Sequence, residues 1–197
     1  FRRVLFRSLG VRWDKQTLDA ANTATMGPRV GLRYQLAPST LLRVSWGRFY
    51  QSQAINELQI ADGDGRFFPP QRSDHSIVGV EHDFPSGPRL RFEAYEKDMR
   101  GLRPRYENLF TPIELYPETE PDRVLIEADR ARLKGVELML QAPPGARFYW
   151  RASYALSSAE DVIEGEAVPR SWDQTWAASA GVDWSRGPWR FGAAAMN

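Results

Sequence analysis

Tight turns and long polar connections alternate along the chain, strand after strand, and this constrains the fold more than any other feature of the sequence. Ala37-Pro-Ser-Thr40, Pro85-Ser-Gly-Pro88, Pro143-Pro-Gly-Ala146 and Arg186-Gly-Pro188 are short, while residues 51–73, 101–130 and 158–171 are long and polar. Antiparallel strands that cross an outer membrane are joined in this way, by short turns on the periplasmic rim and long loops on the extracellular one.

The segments between connections alternate with a period of two. Val30, Leu32, Tyr34 and Leu36 share one face of a candidate strand, and Arg29, Gly31, Arg33 and Gln35 share the other. Leu42, Val44 and Trp46 oppose Arg43, Ser45 and Gly47, and Phe148, Trp150, Ala152, Tyr154 and Leu156 oppose Tyr149, Arg151, Ser153 and Ala155. An arginine at the bilayer midplane costs roughly 2 to 4 kcal/mol, so a one-residue slip that turned Arg29 and Arg33 toward lipid is strongly disfavoured. Apolar side chains therefore face outward. A mixed-charge set faces inward: Arg29, Arg33, Arg43, Glu81, Arg91, Glu93, Glu137, Arg151, Asp183 and Arg190.

Nine strands are predicted, at 9–15, 29–36, 41–50, 75–84, 89–100, 131–142, 147–157, 173–185 and 189–197, with one helical turn within Gln53-Ala-Ile-Asn-Glu-Leu58. The fold class is all-β, a segment of an antiparallel up-and-down transmembrane β-barrel that forms an open sheet on its own. A soluble β-sandwich alternates in the same way. Strand lengths near the ~9 to 11 residues of a tilted spanning strand favour the membrane reading over the ~5 to 6 typical of soluble sheets. Trp184 and Trp189 flank one turn, Phe84 precedes another, and Tyr34 and Trp46 lie toward strand ends, as interfacial girdles require.

Composition agrees with this reading. Mean hydropathy is −0.50 and no apolar run approaches the ~18 residues of a spanning helix, but a barrel strand shows lipid only every second side chain. The net charge of +1, with arginines scattered along the chain, gives no reason to expect a nucleic-acid partner. Cysteine is absent, which removes thiol chemistry and cysteine-based metal sites. The first eight residues, Phe1-Arg-Arg-Val-Leu-Phe-Arg-Ser8, can be encoded by DNA that reads like a common sequencing adapter. We therefore expect residues 1–8 to be foreign, residues 9–197 to be the barrel segment, and the chain to be a piece of a longer protein.

In their order along the chain, these residues resemble the barrel of TonB-dependent outer-membrane receptors. Pro28-Arg-Val-Gly-Leu-Arg-Tyr34 is similar to a "PRLGLxY" strand, and Leu42-Arg-Val-Ser-Trp-Gly-Arg-Phe-Tyr50 to "LRASYGRGF". Gln53 to Leu58 sits where the family carries "APSLNEL", and Ser73-Asp-His-Ser-Ile-Val-Gly-Val-Glu81 resembles "SxNYELGVK". Arg132-Leu-Lys-Gly-Val-Glu-Leu138 matches "ARxKGVEL", and Val168-Pro-Arg170 fits "VPRxPxH". The resemblance implies a bacterial outer-membrane location and active import of a scarce ligand: a ferric siderophore, a cobalamin-like cofactor or a carbohydrate. It also implies outer-membrane lipid, a plug domain and a TonB energising complex as partners. The plug, a TonB box and a closing strand that ends in an aromatic residue are not among these residues.

Candidate chemistry is confined to the long-loop rim. Arg103, Arg105, Tyr106 and Asn108 combine cation, ring and amide, a mixture suited to an anionic, oxygen-rich ligand and equally suited to anchoring a loop base. Arg170 and Trp172 pose the same alternative. Asp62-Gly-Asp-Gly65 resembles the start of a calcium loop but lacks its remaining ligands, so a polar loop tip is the better reading. Glu114, Glu118, Glu120 and Asp122 form an acidic stretch best read as solvated charge. No catalytic, metal or cofactor site is expected: Ser76 and His82 share a face but lie about three pleats apart, His75 points the other way, and no G-x-S-x-G or H-E-x-x-H occurs. A passive porin-like channel is the alternative to an active receptor.

Overall fold

A computed structural model describes residues 4–17, 22–110, 122–143 and 145–197. The strands are β1 (Val4–Gln16), β2 (Thr23–Ala37), β3 (Thr40–Gln51), β4 (Gln71–Asp83), β5 (Arg89–Arg100), β6 (Arg105–Asn108), β7 (Arg123–Ile126), β8 (Arg130–Gln141), β9 (Phe148–Ile163), β10 (Glu166–Pro169), β11 (Trp176–Arg186) and β12 (Trp189–Met196). All pairings are antiparallel. The main sheet runs β1-β2-β3-β4-β5-β8-β9-β11-β12 without closing, β10 adds to the end of β9, and β6 and β7 form a separate hairpin.

The nine expected strands are the nine of this meander. Its short connections are built from residues that accept tight geometry. In Arg186-Gly-Pro-Trp189, Gly187 has φ +58° at the first central position and proline follows, the chemistry of a II′ hairpin turn. Between β4 and β5, the Gly87 amide donates to the Phe84 carbonyl at 2.9 Å with φ +107° at Gly87. The opposite rim carries the segments 52–70, 101–129 and 164–175. These are not structureless: they hold 3-10 turns at Ile55–Glu57 and Ile60–Asp62, the β6–β7 hairpin and the β9–β10 hairpin. The helical turn expected at 53–58 is thus a single 3-10 turn, and β1, β2 and β9 each run further than expected.

Among the described residues, no second layer packs on the sheet. Substantial contacts are all between neighbouring strands, and the buried apolar side chains among the described residues are three alanines, Ala131, Ala142 and Ala159. A soluble sandwich buries one face of each sheet against the other. Here the apolar face is open instead: Leu9, Trp13, Val78, Leu138, Trp176 and Phe191 are all exposed.

The register shows how that face is tilted. The cross-strand row through Leu32 passes Val44, Val78, Ala94, Val136 and Leu156 and arrives at Trp176. On β2 this row lies near the middle of an apolar stretch from Met26 to Leu36, whereas on β11 it is the upper end of a stretch from Trp176 to Trp184. The band therefore steps along the strands by close to one residue per neighbour. Strands about 4.8 Å apart and tilted about 35 to 45° demand a step of that size if the band is to stay level in a membrane. Arg7 is the exception on this face, paired with Leu32 below Leu9 and Val11, and a register shift separates Val4 from Phe6.

Candidate functional site at the long-loop rim

Above the lumen face, the three long segments are tied to one another by charged hydrogen bonds. The hub is Asp161, 2% exposed on β9. Its Oδ2 accepts from Arg105 Nη2 at 2.7 Å, and its Oδ1 accepts from Arg170 Nη2 at 2.7 Å and Nε at 3.0 Å. Arg105 also donates from Nε to Glu107 at 2.5 Å, and the other oxygen of Glu107 accepts from the Ser171 hydroxyl at 3.0 Å. Burial disfavours the charged form of Arg105, but the hydrogen bonds to Glu107 and Asp161 outweigh it and hold the guanidinium above its ordinary value.

A second knot joins 101–129 to 52–70. Gly101, at φ +63°, turns the chain out of β5, and Arg103 Nη1 donates to Glu57 Oε2 at 2.7 Å. The same Glu57 oxygen accepts the Ala54 amide at 2.8 Å. That backbone hydrogen bond, reinforced by Arg103, holds the Glu57 carboxyl below the usual range. Further out, Arg123 donates to both oxygens of Asp62 at 2.7 and 2.5 Å and to Asn108 Oδ1 at 3.1 Å, with its guanidinium 5.7 Å from the Tyr106 ring centre. Asn108, 2% exposed, donates in turn to Asp122.

All six residues singled out in the sequence thus lie at one rim, and the polar groups of four of them are hydrogen-bonded within the protein. Arg103, Arg105 and Arg170 are each matched by a carboxylate, Asn108 is buried, and the Tyr106 ring lies beside Arg123. Trp172 differs: it is 50% exposed, with the Arg170 guanidinium 5.1 Å from its ring centre. The two aspartates of the 62–65 segment face different arginines, Asp62 toward Arg123 and Asp64 toward Arg66. Glu114, Glu118 and Glu120 lie outside the described residues, and Asp122 accepts the Phe110 amide at 2.8 Å. No group of three His, Cys, Asp or Glu among the described residues could hold a metal ion.

The anchoring partners Asp161, Glu57, Glu107 and Arg123 were not anticipated from sequence. A signal existed for Asp161, which shares the odd-number phase of Arg151 and Ser153 and therefore faces the lumen once β9 is continued to Ile163.

Two hollows open below and between these knots. One, of about 160 Å³, is lined by Gln53, Glu57, Arg66, Phe68, Arg103 and Arg105 among others. The second, of about 420 Å³ on the upper lumen wall, includes Phe49, Gln71, His75, Lys97, Met99 and Leu133. Deeper in the lumen wall, Arg43 pairs with Glu81 at 2.8 Å and Arg91 with Glu93 at 2.7 Å, so the inward face is polar and part of its charge is compensated within the wall.

Comparison with known proteins agrees with the architecture. The family profile described as "TonB dependent receptor-like, beta-barrel" matches residues 7–196. No curated protein matches the chain. Among solved structures, the copper transporter OprC superposes with a TM-score of 0.61 at 17% identity, covering 87% of this chain and 26% of that one. P. aeruginosa FpvA, in a structure bound to heterologous pyoverdines as an iron complex, gives 0.59 at 16% identity, covering 87% and 22%. The chain therefore spans about a quarter of the length of the structures it matches. It belongs to the TonB-dependent receptor family, a family of non-catalytic transport proteins, and lies in the bacterial outer membrane as a stretch of the receptor β-barrel.

Proposed function

We propose that this stretch forms part of a receptor that captures a scarce ligand at the cell surface and imports it actively, the ligand being a ferric siderophore, a cobalamin-like cofactor or a carbohydrate. The observation that carries the reading is the asymmetry of the two rims. One is trimmed to tight turns, while the other holds three folded segments cross-braced through Asp161, Glu57 and Asp62 over a polar lumen wall. Passive barrels share the short and long rims, so the step from barrel to active import leans on the family match over residues 7–196. The loops are pre-organised, which lowers the ordering cost of binding. Of the six rim residues, Trp172 is the direct ligand contact by its exposed face. Arg103, Arg105, Tyr106, Asn108 and Arg170 set the shape of the rim around it. The plug domain and the TonB energising complex act through segments other than these.

Deletion of the gene and growth on defined iron and carbon sources identifies the ligand class. Uptake is expected to vanish when the energising complex is removed. Uptake that persists without it identifies a passive channel instead.

A further inference from the structure

The three long segments differ in charge from the rest of the chain. Residues 52–70, 101–129 and 164–175 hold thirteen aspartates and glutamates against five arginines, a surplus of eight negative charges in a chain whose net charge is +1. All five arginines are already bonded to carboxylates: Arg66 to Asp64, Arg103 to Glu57, Arg105 to Glu107 and Asp161, Arg123 to Asp62, and Arg170 to Asp161. Glu127, Asp129, Glu164 and Glu166 are exposed and belong to none of these pairs. An anion that reaches this rim meets a field of its own sign, and it takes a guanidinium only by displacing that guanidinium's carboxylate. Arg29, over the Phe49 ring, and Lys97, beside that of Tyr95, are cations of the strands below the rim.

The rim offers paired polar groups around a ring instead. The hollow of about 160 Å³ has Glu57, Gln59, Arg66, Phe68 and Gln71 in its lining. Arg66 gives Nε and Nη2 to Asp64 at 3.0 and 3.1 Å and leaves Nη1 outside the pair, with its guanidinium 5.4 Å from the Phe68 ring centre. The Glu57 side chain stays 37% exposed while it holds Arg103. Gln71, with its amide oxygen accepting the Arg103 backbone N–H at 3.1 Å, has its NH2 group to donate. Phe68 is held by its backbone, its N–H donating to Gln53 Oε1 at 2.9 Å and its carbonyl accepting from Gln16 Nε2 at 3.4 Å. Arg105, which also lines the hollow, leads through Glu107 and Ser171 to the second exposed ring, Trp172.

Donors and acceptors thus stand side by side with their charges matched, next to an aromatic face. A hydroxyl both donates and accepts, so neighbouring hydroxyls of a sugar ring suit such a set, and the C–H face of the ring suits the electron-rich face of Phe68. The volume is below the ~300 to 1,000 Å³ that encloses a drug-sized ligand, so the hollow takes one ring at the end of a chain and not a metal complex or a corrin. Resting on the reading of this stretch as part of an active receptor, we propose that the ligand is a neutral saccharide, with one ring seated against Phe68 between Glu57, Arg66 and Gln71.

The test uses the complete receptor that carries this chain, purified in detergent micelles. Calorimetric titration is run with a panel of neutral di- to hexasaccharides of hexoses, pentoses and N-acetylhexosamines, with the uronate form of each sugar that binds, and with an anionic ferric catecholate. The neutral sugar is expected to bind about tenfold more tightly than its uronate at low salt, and the gap to narrow as salt is raised. Phe68→Ala, which keeps both backbone anchors, is expected to weaken the neutral sugar about three- to tenfold. Trp172→Ala, at an exposed position, serves as a second variant should Phe68→Ala not fold, and is expected to weaken it by a similar factor. The variant Glu127→Gln/Asp129→Asn/Glu164→Gln/Glu166→Gln is expected to bring the uronate closer to the neutral sugar while the neutral sugar binds as in the wild type. Binding of none of the sugars, equal binding of neutral sugar and uronate at low salt, or tighter binding of the ferric catecholate overturns the proposal. Uptake of the bound sugar that persists without the energising complex overturns active import instead and leaves the saccharide site standing.

Discussion

Asp161 shows how one side chain can set the geometry of a rim. Its carboxylate is almost wholly buried between two guanidiniums from different segments, so removing its charge takes from Arg170 the carboxylate it is bonded to and leaves Arg105 with Glu107. Breaking a buried pair from one side costs about 3 to 5 kcal/mol in fully buried cases. Here the cost falls on the local closure of the loops, because the strands below hold without it. Asp161→Asn is therefore expected to leave the unfolding transition of the sheet nearly unchanged. Amide exchange should accelerate by one to two orders of magnitude at 105–108 and 166–169, as a local opening about 1.4 to 3 kcal/mol easier requires. Exchange that stays at wild-type rates in both segments shows that the hub does not hold them.

At the level of elements, glycines on the inward face decide how closely the strands can be covered. Gly135 on β8 pairs with Tyr95 on β5, and a Cβ built at Gly135 stands 2.6 Å from the Tyr95 hydroxyl and 2.7 Å from the Leu156 carbonyl oxygen. The tyrosine thus lies over the space a side chain would occupy, covering a weak point of the sheet. Gly135→Val is expected to destabilise the sheet by roughly 1 to 3 kcal/mol, the range for overpacking, read as a lower denaturation midpoint in detergent at unchanged slope. In a Tyr95→Ala background the loss should shrink without vanishing, since the backbone oxygen remains; an equal loss in both backgrounds removes the tyrosine from the explanation.

The same elements show what the sequence made legible. Spanning strands could be read because one face meets lipid and the other the lumen, which enforces a period of two. Above the membrane both faces are polar, so the signal lapses where β9 continues through Ser158 and Glu160 and where β6, β7 and β10 form. The rim residues were recognisable by type. Their partners were not, because Arg105 and Asp161 are far apart in sequence and meet only through the register of the intervening strands.

For the whole molecule, the decisive fact is that stability and solubility come from different surroundings. The sheet satisfies its backbone through neighbours, but β1 and β12 each pair on one side only, and none of the described residues covers the apolar face. Large exposed apolar patches and unpaired strand edges both drive association in water. Expressed by itself and transferred to detergent-free buffer, the chain is expected to sediment as large aggregates. In micelles it should remain dispersed with a β-rich circular dichroism spectrum, since the detergent covers the band that runs from Met26 to Leu36 on β2 and from Trp176 to Trp184 on β11. The edges lie outside that band, so micelles alone should leave a concentration-dependent association through β1 and β12. Charged substitutions on an edge, such as Ala194→Lys on the inward side of β12, should weaken this association without loosening the micelle. A monodisperse, water-soluble monomer in sedimentation would mean that the apolar face is covered from within, and would overturn the open single-layer sheet.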